Sequence, residues 1–153
     1  MRDDTLWNEW MFLHHAYRTV ARGISAEMDR NRLPSILAYS VLLLLSQARN
    51  SRLTHAELAD HTLVSRSRIT RLVRSLEESG YVRHAKDQSD KRLTYAVLTD
   101  RGASVLNAAR PTFIAALRRY LPSNFPSPIT TSRHATVAAG DNGGSAWKMR
   151  GAN

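Results

Sequence analysis

The apolar residues of this chain fall into a few clear rhythms. Leu6, Trp10, Leu13, Tyr17, Val20, Ile24 and Met28 recur at steps of three and four, the spacing of one helix face. They predict a long amphipathic helix over about residues 5–31. Trp7, Met11 and His14 widen the stripe, which suggests burial on more than one side. Leu33-Pro34-Ser35 interrupts the pattern, and Pro34 suits the start of a new helix, where its missing N–H is not needed. Residues 35–48 hold Ile36, Leu37, Ala38, Tyr39 and an apolar run from Val41 to Leu45. Apolar almost all round, they predict a central buried helix. A polar linker over residues 47–52 follows, with a short strand expected around residues 51–53 that can pair with a later hairpin.

Residues 53–98 change character. Thr54 precedes Glu57 by three, the spacing of a capping box, so a short helix should start there, turn Leu58 and Ala59 inward and end near His61 and Thr62. Ser65 is a good cap for a second helix whose apolar positions are Ile69, Leu72, Val73 and Leu76. At about 100° per residue, Ser67, Arg71 and Arg74 point away from that stripe, with Arg68 and Thr70 on its flanks. Gly80 stands where a helix end favours positive φ. Residues 81–86 and 93–98 are rich in β-branched and aromatic types and read as strands. The six residues between them, Asp87 to Arg92, contain no apolar side chain. Two short helices followed by a hairpin is the order of a winged helix-turn-helix, which puts its second helix into the major groove of DNA. A solvated surface helix and a plain hairpin turn are the competing readings. The charge favours the first: residues 65–92 carry eight Arg or Lys against four Asp or Glu.

After the hairpin, Thr99 caps a further helix with Asp100 in its first turn. Val105, Leu106, Ala109, Phe113, Ala116, Leu117 and Tyr120 carry its stripe to about Leu121, and Pro111 is expected to kink it. Arg110, Arg118 and Arg119 add positive charge. From Pro122 the apolar period stops, so residues 122–153 are expected to be an irregular or disordered tail.

Composition sharpens the function classes. The 153 residues favour one domain with a real core, and the net charge of +9 points to nucleic acid or an anionic surface. With no cysteine there is no thiol redox sensor and no cysteine-built zinc site. The first ten residues lack a signal-peptide core, and the longest apolar runs fall far short of the ~20 residues that span a bilayer. A cytoplasmic, nucleoid-associated location is therefore expected, with no membrane partner. No phosphate loop, nucleophile elbow or metalloprotease helix is present, so no enzyme, catalytic residue or cofactor is expected. His14 and His15 are adjacent on a helix and point about 100° apart, which argues against a shared metal.

The motifs also carry a resemblance. Leu58-Ala59, Ser65 with Ile69-Thr70-Arg71-Leu72-Val73, Leu76-Glu77, Gly80-Tyr81-Val82-Arg83, Asp87, Asp90-Lys91-Arg92 and Leu98-Thr99-Asp100-Arg101-Gly102 resemble the MarR family of bacterial winged-helix regulators. The likeness extends over about residues 6–121. It implies a mainly α fold with a small β-hairpin wing and a helical dimerisation region. It also implies a homodimer that binds a pseudo-palindromic operator in double-stranded DNA, acts as a repressor and responds to a small aromatic or phenolic ligand. Its recognition-helix contacts map onto Ser65, Arg66, Ser67, Arg68, Thr70 and Arg71, with Arg74 beside them. The family's wing arginine maps onto Arg92, usually held by the nearby aspartate, here Asp90; Lys91, by its charge at the hairpin tip, and Ser89 are the other wing candidates. Trp10, His14 and Tyr17 are the pocket candidates, although simple packing explains the same aromatic stripe.

The division that follows is an N-terminal dimerisation and pocket helix over 1–34, a DNA-binding domain over 35–98, a returning helix over 99–121 and the tail over 122–153. The family's usual closing leucine-rich helix has no counterpart after Leu121. A second reading follows from that departure: a winged-helix module for protein contact, with DNA binding weak or lost.

Overall fold

The computed structural model describes residues 2–90 and 92–121, apart from the side chains of Arg2 and Asp3; the expected tail and the wing residue Lys91 lie outside the described residues. The elements are α1 (Arg2–Arg30), α2 (Ile36–Gln47), a single 3₁₀ turn (Arg49–Ser51), β1 (Arg52–Thr54), α3 (His55–Thr62), α4 (Arg66–Glu78), β2 (Val82–Lys86), β3 (Thr94–Leu98) and α5 (Asp100–Tyr120). This is a mainly α winged helix-turn-helix with a small antiparallel sheet, in strand order β1-β3-β2. The short strand does pair with the hairpin: Leu53 faces Ala96 across β1 and β3, and His84 faces Ala96 from the other side.

Local chemistry sets the element ends. Thr54 Oγ1 accepts from Glu57 N at 3.2 Å while Glu57 Oε2 accepts from Thr54 N at 2.7 Å, so the capping box forms as the spacing predicts. Ser65 Oγ accepts from Arg68 N to start α4, and Gly80 takes φ +76° just beyond its end. Pro34 is a correction. It lies outside α2, because Ser35 is the cap and accepts from Ala38 N. Pro34 therefore ends the preceding turn and does not open the helix. Pro111 sits inside α5, which runs as one helix from Asp100 to Tyr120. Both Pro111 and Asn107 are exposed, so the carbonyl deprived of its donor lies on the solvent side of the helix.

The core lies under α4. Val41, Leu42 and Leu45 of α2, Leu58 of α3, Ile69 and Val73 of α4 and Leu106 of α5 are buried together with Ile24 and Met28 from the last turns of α1. The rest of α1 is different. Leu6, Trp7, Trp10, Phe12, Leu13 and Tyr17 are all more than half exposed. Among the described residues, the broad burial expected for that stripe is thus confined to its C-terminal turns.

Two close approaches tie α5 at both ends. A Cβ at Gly102 would stand 2.1 Å from the carbonyl oxygen of Tyr81, and one at Gly23 of α1 would stand 2.6 Å from the ring of Tyr120. The first contact is secured by Thr99, whose hydroxyl donates to Gly80 O at 2.7 Å and accepts from Gly102 N at 3.1 Å. At the other end, Glu27 Oε1 accepts from Tyr120 Oη at 3.3 Å and from Arg119 at 3.4 Å.

Candidate nucleic-acid interface

The interface is built on α4. Its underside, Ile69, Val73 and Leu76, is buried, and Leu72 is half-buried. Ser65, Arg66, Ser67, Arg68, Thr70, Arg71 and Arg74 are all exposed. Among the described residues no acid pairs with Arg66, Arg68, Arg71 or Arg74. Four guanidinium groups on one short helix therefore keep their full donor capacity for an outside anion. The acids Glu77 and Glu78 are confined to the last turn, so the N-terminal half is the cationic end.

The hairpin tip is ordered by Asp87. Its Oδ1 accepts from the Ser89 hydroxyl at 2.5 Å, from Ser89 N at 2.8 Å and from Asp90 N at 3.1 Å. Those bonds, the Ser89 hydroxyl first, hold its carboxyl at a pKa of about 2. Arg52 of β1 lies 3.8 Å from Asp87 Oδ2 and 4.4 Å above the Tyr95 ring, joining the first strand to the base of the wing. Asp90 does something other than expected. Its Oδ1 accepts from the backbone N–H of Arg92 at 2.9 Å, and among the described residues it makes no ion pair with the Arg92 guanidinium. It shapes the turn and leaves Arg92, which is exposed, free to reach out. Ser89 is likewise exposed, but its hydroxyl is committed to Asp87.

A polar cluster that the sequence did not signal lies on the flank of α4. His55, the first residue of α3, has Nδ1 3.2 Å from Thr70 Oγ1. His84 of β2 has Nδ1 2.6 Å from Glu77 Oε2, and its backbone N donates to Glu77 Oε1 at 3.1 Å. The two imidazoles are 5.5 Å apart. Burial lowers the pKa of His55, the charge on His84 lowers it further, and Glu77 opposes both. The hydrogen bonds from His84 lower that of Glu77.

The pocket candidates Trp10, His14 and Tyr17 lie on the exposed half of α1, with the Trp10 and His14 rings 6.2 Å apart. A separate groove of about 420 Å³ runs behind α4, with Leu33, Ala38, Leu72, Leu76, Tyr81 and Val105 on its walls. Nearby in the core, Tyr39 stacks on Phe113 at 4.1 Å, and burial raises its phenol pKa against the lowering effect of Arg110. Among the described residues there is no group of His, Asp and Glu that could hold a metal, and no helix is long and apolar enough to cross a membrane.

A buried-backed cationic helix beside a charged hairpin defines the class as a winged helix-turn-helix protein. Comparison with known proteins carries this further. Residues 33–93 match the model of the MarR family. The chain is similar to Sco3205 of Streptomyces coelicolor, a MarR family transcriptional regulator solved in complex with DNA, at 27% identity over 86% of this chain and 80% of that one, with a TM-score of 0.72. AbsC of the same organism, another MarR family transcriptional regulator, is 25% identical over 84% of this chain and 86% of its own, also at TM-score 0.72. CouR of Rhodococcus jostii RHA1, solved bound to p-coumaroyl-CoA, is 25% identical over 79% of this chain and 82% of that one, at TM-score 0.66. No curated protein matches the chain. Residues 33–93 thus match the MarR family model, and the chain as a whole is similar to solved MarR family transcriptional regulators.

Proposed function

We propose that this protein is a sequence-specific, ligand-responsive repressor that binds a pseudo-palindromic operator as a homodimer. The observation that carries the reading is the outer face of α4, where four exposed arginines have no acidic partner among the described residues while Ile69, Val73 and Leu76 fix the helix from below. Arg71 and Ser67 point away from the core, where Arg can bond bidentately to guanine O6 and N7. Arg66, Arg68, Arg74, Lys91 and Arg92 neutralise phosphates, which makes affinity fall steeply with salt. The exposed apolar half of α1, from Leu6 to Tyr17, supports the dimer, because a second copy would cover it and a solvated monomer would not. The ligand candidates Trp10, His14 and Tyr17 then belong to the assembled dimer, where that face is enclosed. Co-structures of Sco3205 with DNA and of CouR with p-coumaroyl-CoA support the two halves of this reading.

The test is selection of bound duplexes from a random pool at near-physiological salt. Enrichment of a two-fold symmetric site, with half-sites about one helical turn apart, is the expected result. Retention without sequence enrichment, together with a monomer in sedimentation at micromolar concentration, would favour the protein-contact reading instead.

A further inference from the structure

In the cluster of His55, Thr70, Glu77 and His84, only Thr70 belongs to the face just described. The cluster lies on the one flank of α4 that meets both α3 and the sheet. Thr70 and Glu77 are seven residues apart and so share a helix face. His55 holds the first of them and His84 the second. His55 Nε2 is buried and has no hydrogen-bond partner among the described residues.

That orphan nitrogen decides how the Thr70 bond is made. With the ring proton on Nε2, Thr70 would donate to Nδ1 and a buried N–H would be left without an acceptor. With the proton on Nδ1, His55 donates to Thr70 Oγ1 and only a ring lone pair is left bare. An unsatisfied buried N–H is the rarer and costlier of the two. An imidazolium is worse again, since it adds the same orphan N–H and places a charge 5.5 Å from the His84 ring.

We propose that His55 is a positioning residue for α4, kept neutral with its proton on Nδ1, and that it thereby fixes the Thr70 hydroxyl as a hydrogen-bond donor toward DNA. The proposal rests on the DNA-binding reading above. A serine or threonine hydroxyl ordinarily serves as donor or acceptor and so tolerates either kind of base edge. Thr70 accepts from His55 on one of its two lone pairs, which turns its own hydrogen outward and leaves one lone pair. Such a hydroxyl favours the acceptor positions, guanine O6 and N7, adenine N7 and thymine O4, over the amino groups of cytosine and adenine.

The arrangement is sensitive to protons, and the sign follows from the faces around the ring. His84 from β2 and Glu77 from α4 bear on it, with Lys86 further along the same β2 face and Arg74 one turn away on α4. His55 has its pKa depressed by burial first and by His84 second. The native arrangement is therefore complete above the ordinary histidine value and is lost as pH falls below it through the depressed value. Selectivity should decay in acid. A histidine that merely faced phosphates would do the reverse and strengthen binding when protonated.

Two measurements on the full chain test this. Long-range ¹H–¹⁵N spectra at pH 7.5, which need no DNA, should show His55 protonated at Nδ1 and bare at Nε2. Protonation at Nε2, or a doubly protonated ring, would overturn the proposal. The second measurement is the affinity ratio between a pool-selected duplex and a scrambled one at pH 7.5 and at an acid pH where the same spectra show His55 doubly protonated. Wild type should lose about fivefold of that ratio in acid, the worth of one net hydrogen bond. His55→Asn supplies the same N–H without a titration and should keep the ratio at both pH values, whereas Thr70→Val should lose it at both. His84→Gln should leave the acid loss in place. A wild-type ratio that holds once His55 is doubly protonated, or a folded His55→Asn variant that has lost it at pH 7.5, would also overturn the proposal. Failure to select any sequence would count against the DNA reading itself, and the ring's protonation pattern would still decide the role of His55.

Discussion

Gly102→Ala sets two effects of opposite sign against each other. Gly102 lies in the first turns of α5, and helix propensity alone credits the alanine with about 1 kcal/mol of stabilisation. The structure gives the opposite answer. The new Cβ would stand 2.1 Å from Tyr81 O, 2.8 Å from Leu98 Cδ1 and 2.9 Å from Tyr81 C. Two of these atoms are backbone, so the start of α5 must move by roughly 1 Å, since close packing leaves no room to absorb it. Moving it disturbs the Thr99 cap, worth about 1 kcal/mol, and the bond from Thr99 N to Tyr81 O at 3.1 Å, worth about 1 kcal/mol more. Overpacking adds about 1–3 kcal/mol. The net loss is about 2–4 kcal/mol, enough to lower the melting temperature by roughly 10 °C in a domain of this size. Urea unfolding followed by circular dichroism measures it, with an unchanged slope showing that the two states are the same. A variant as stable as wild type, or more stable, would refute the claim that this contact is rigid.

Other outcomes follow from the interface. Arg71→Ala should cost about 1–3 kcal/mol on a selected duplex and less on random DNA; equal losses would make Arg71 a phosphate contact. Arg92→Ala should weaken all sequences alike and reduce the slope of log affinity against log salt by about 1, read by titration at several salt concentrations. Leu13→Asp, at an exposed site on α1, should abolish self-association in sedimentation velocity and make the urea midpoint independent of protein concentration. For the wing, the low pKa of Asp87 means that its bonds are fully present above the ordinary aspartate value near 3.8 and lost as pH falls through about 2. Asp87→Ala should accordingly speed amide exchange at Ser89 and Asp90 at neutral pH, and unchanged exchange there would show that the turn is held by something else.

What the sequence makes legible is what acts over short separations. The capping box of Thr54 and Glu57, the Ser65 cap and the stripe under α4 each lie within a few residues, and the period of a helix exposes them directly. The hairpin is also readable, because its pairing partners flank a single polar loop. Sites that depend on distant segments are not. Nothing local links His55 to Thr70 fifteen positions away, or Arg52 to Asp87, or Gly102 to the carbonyl of Tyr81. Asp87 did leave a trace: an aspartate two residues before a serine is an Asx-turn signal, and it marks the residue that organises the wing. The Asp90–Arg92 pair shows the opposite hazard, since a plausible ion pair turned out to be a bond to the backbone.

Helix α5 is pinned to the hairpin base at Gly102 and to α1 at Gly23, about 27 Å apart along an α-helical axis. A rod clamped at both ends cannot let one end tilt without levering the other. A movement of α1 at Gly23 would therefore be carried along α5 to the base of the wing at Gly102.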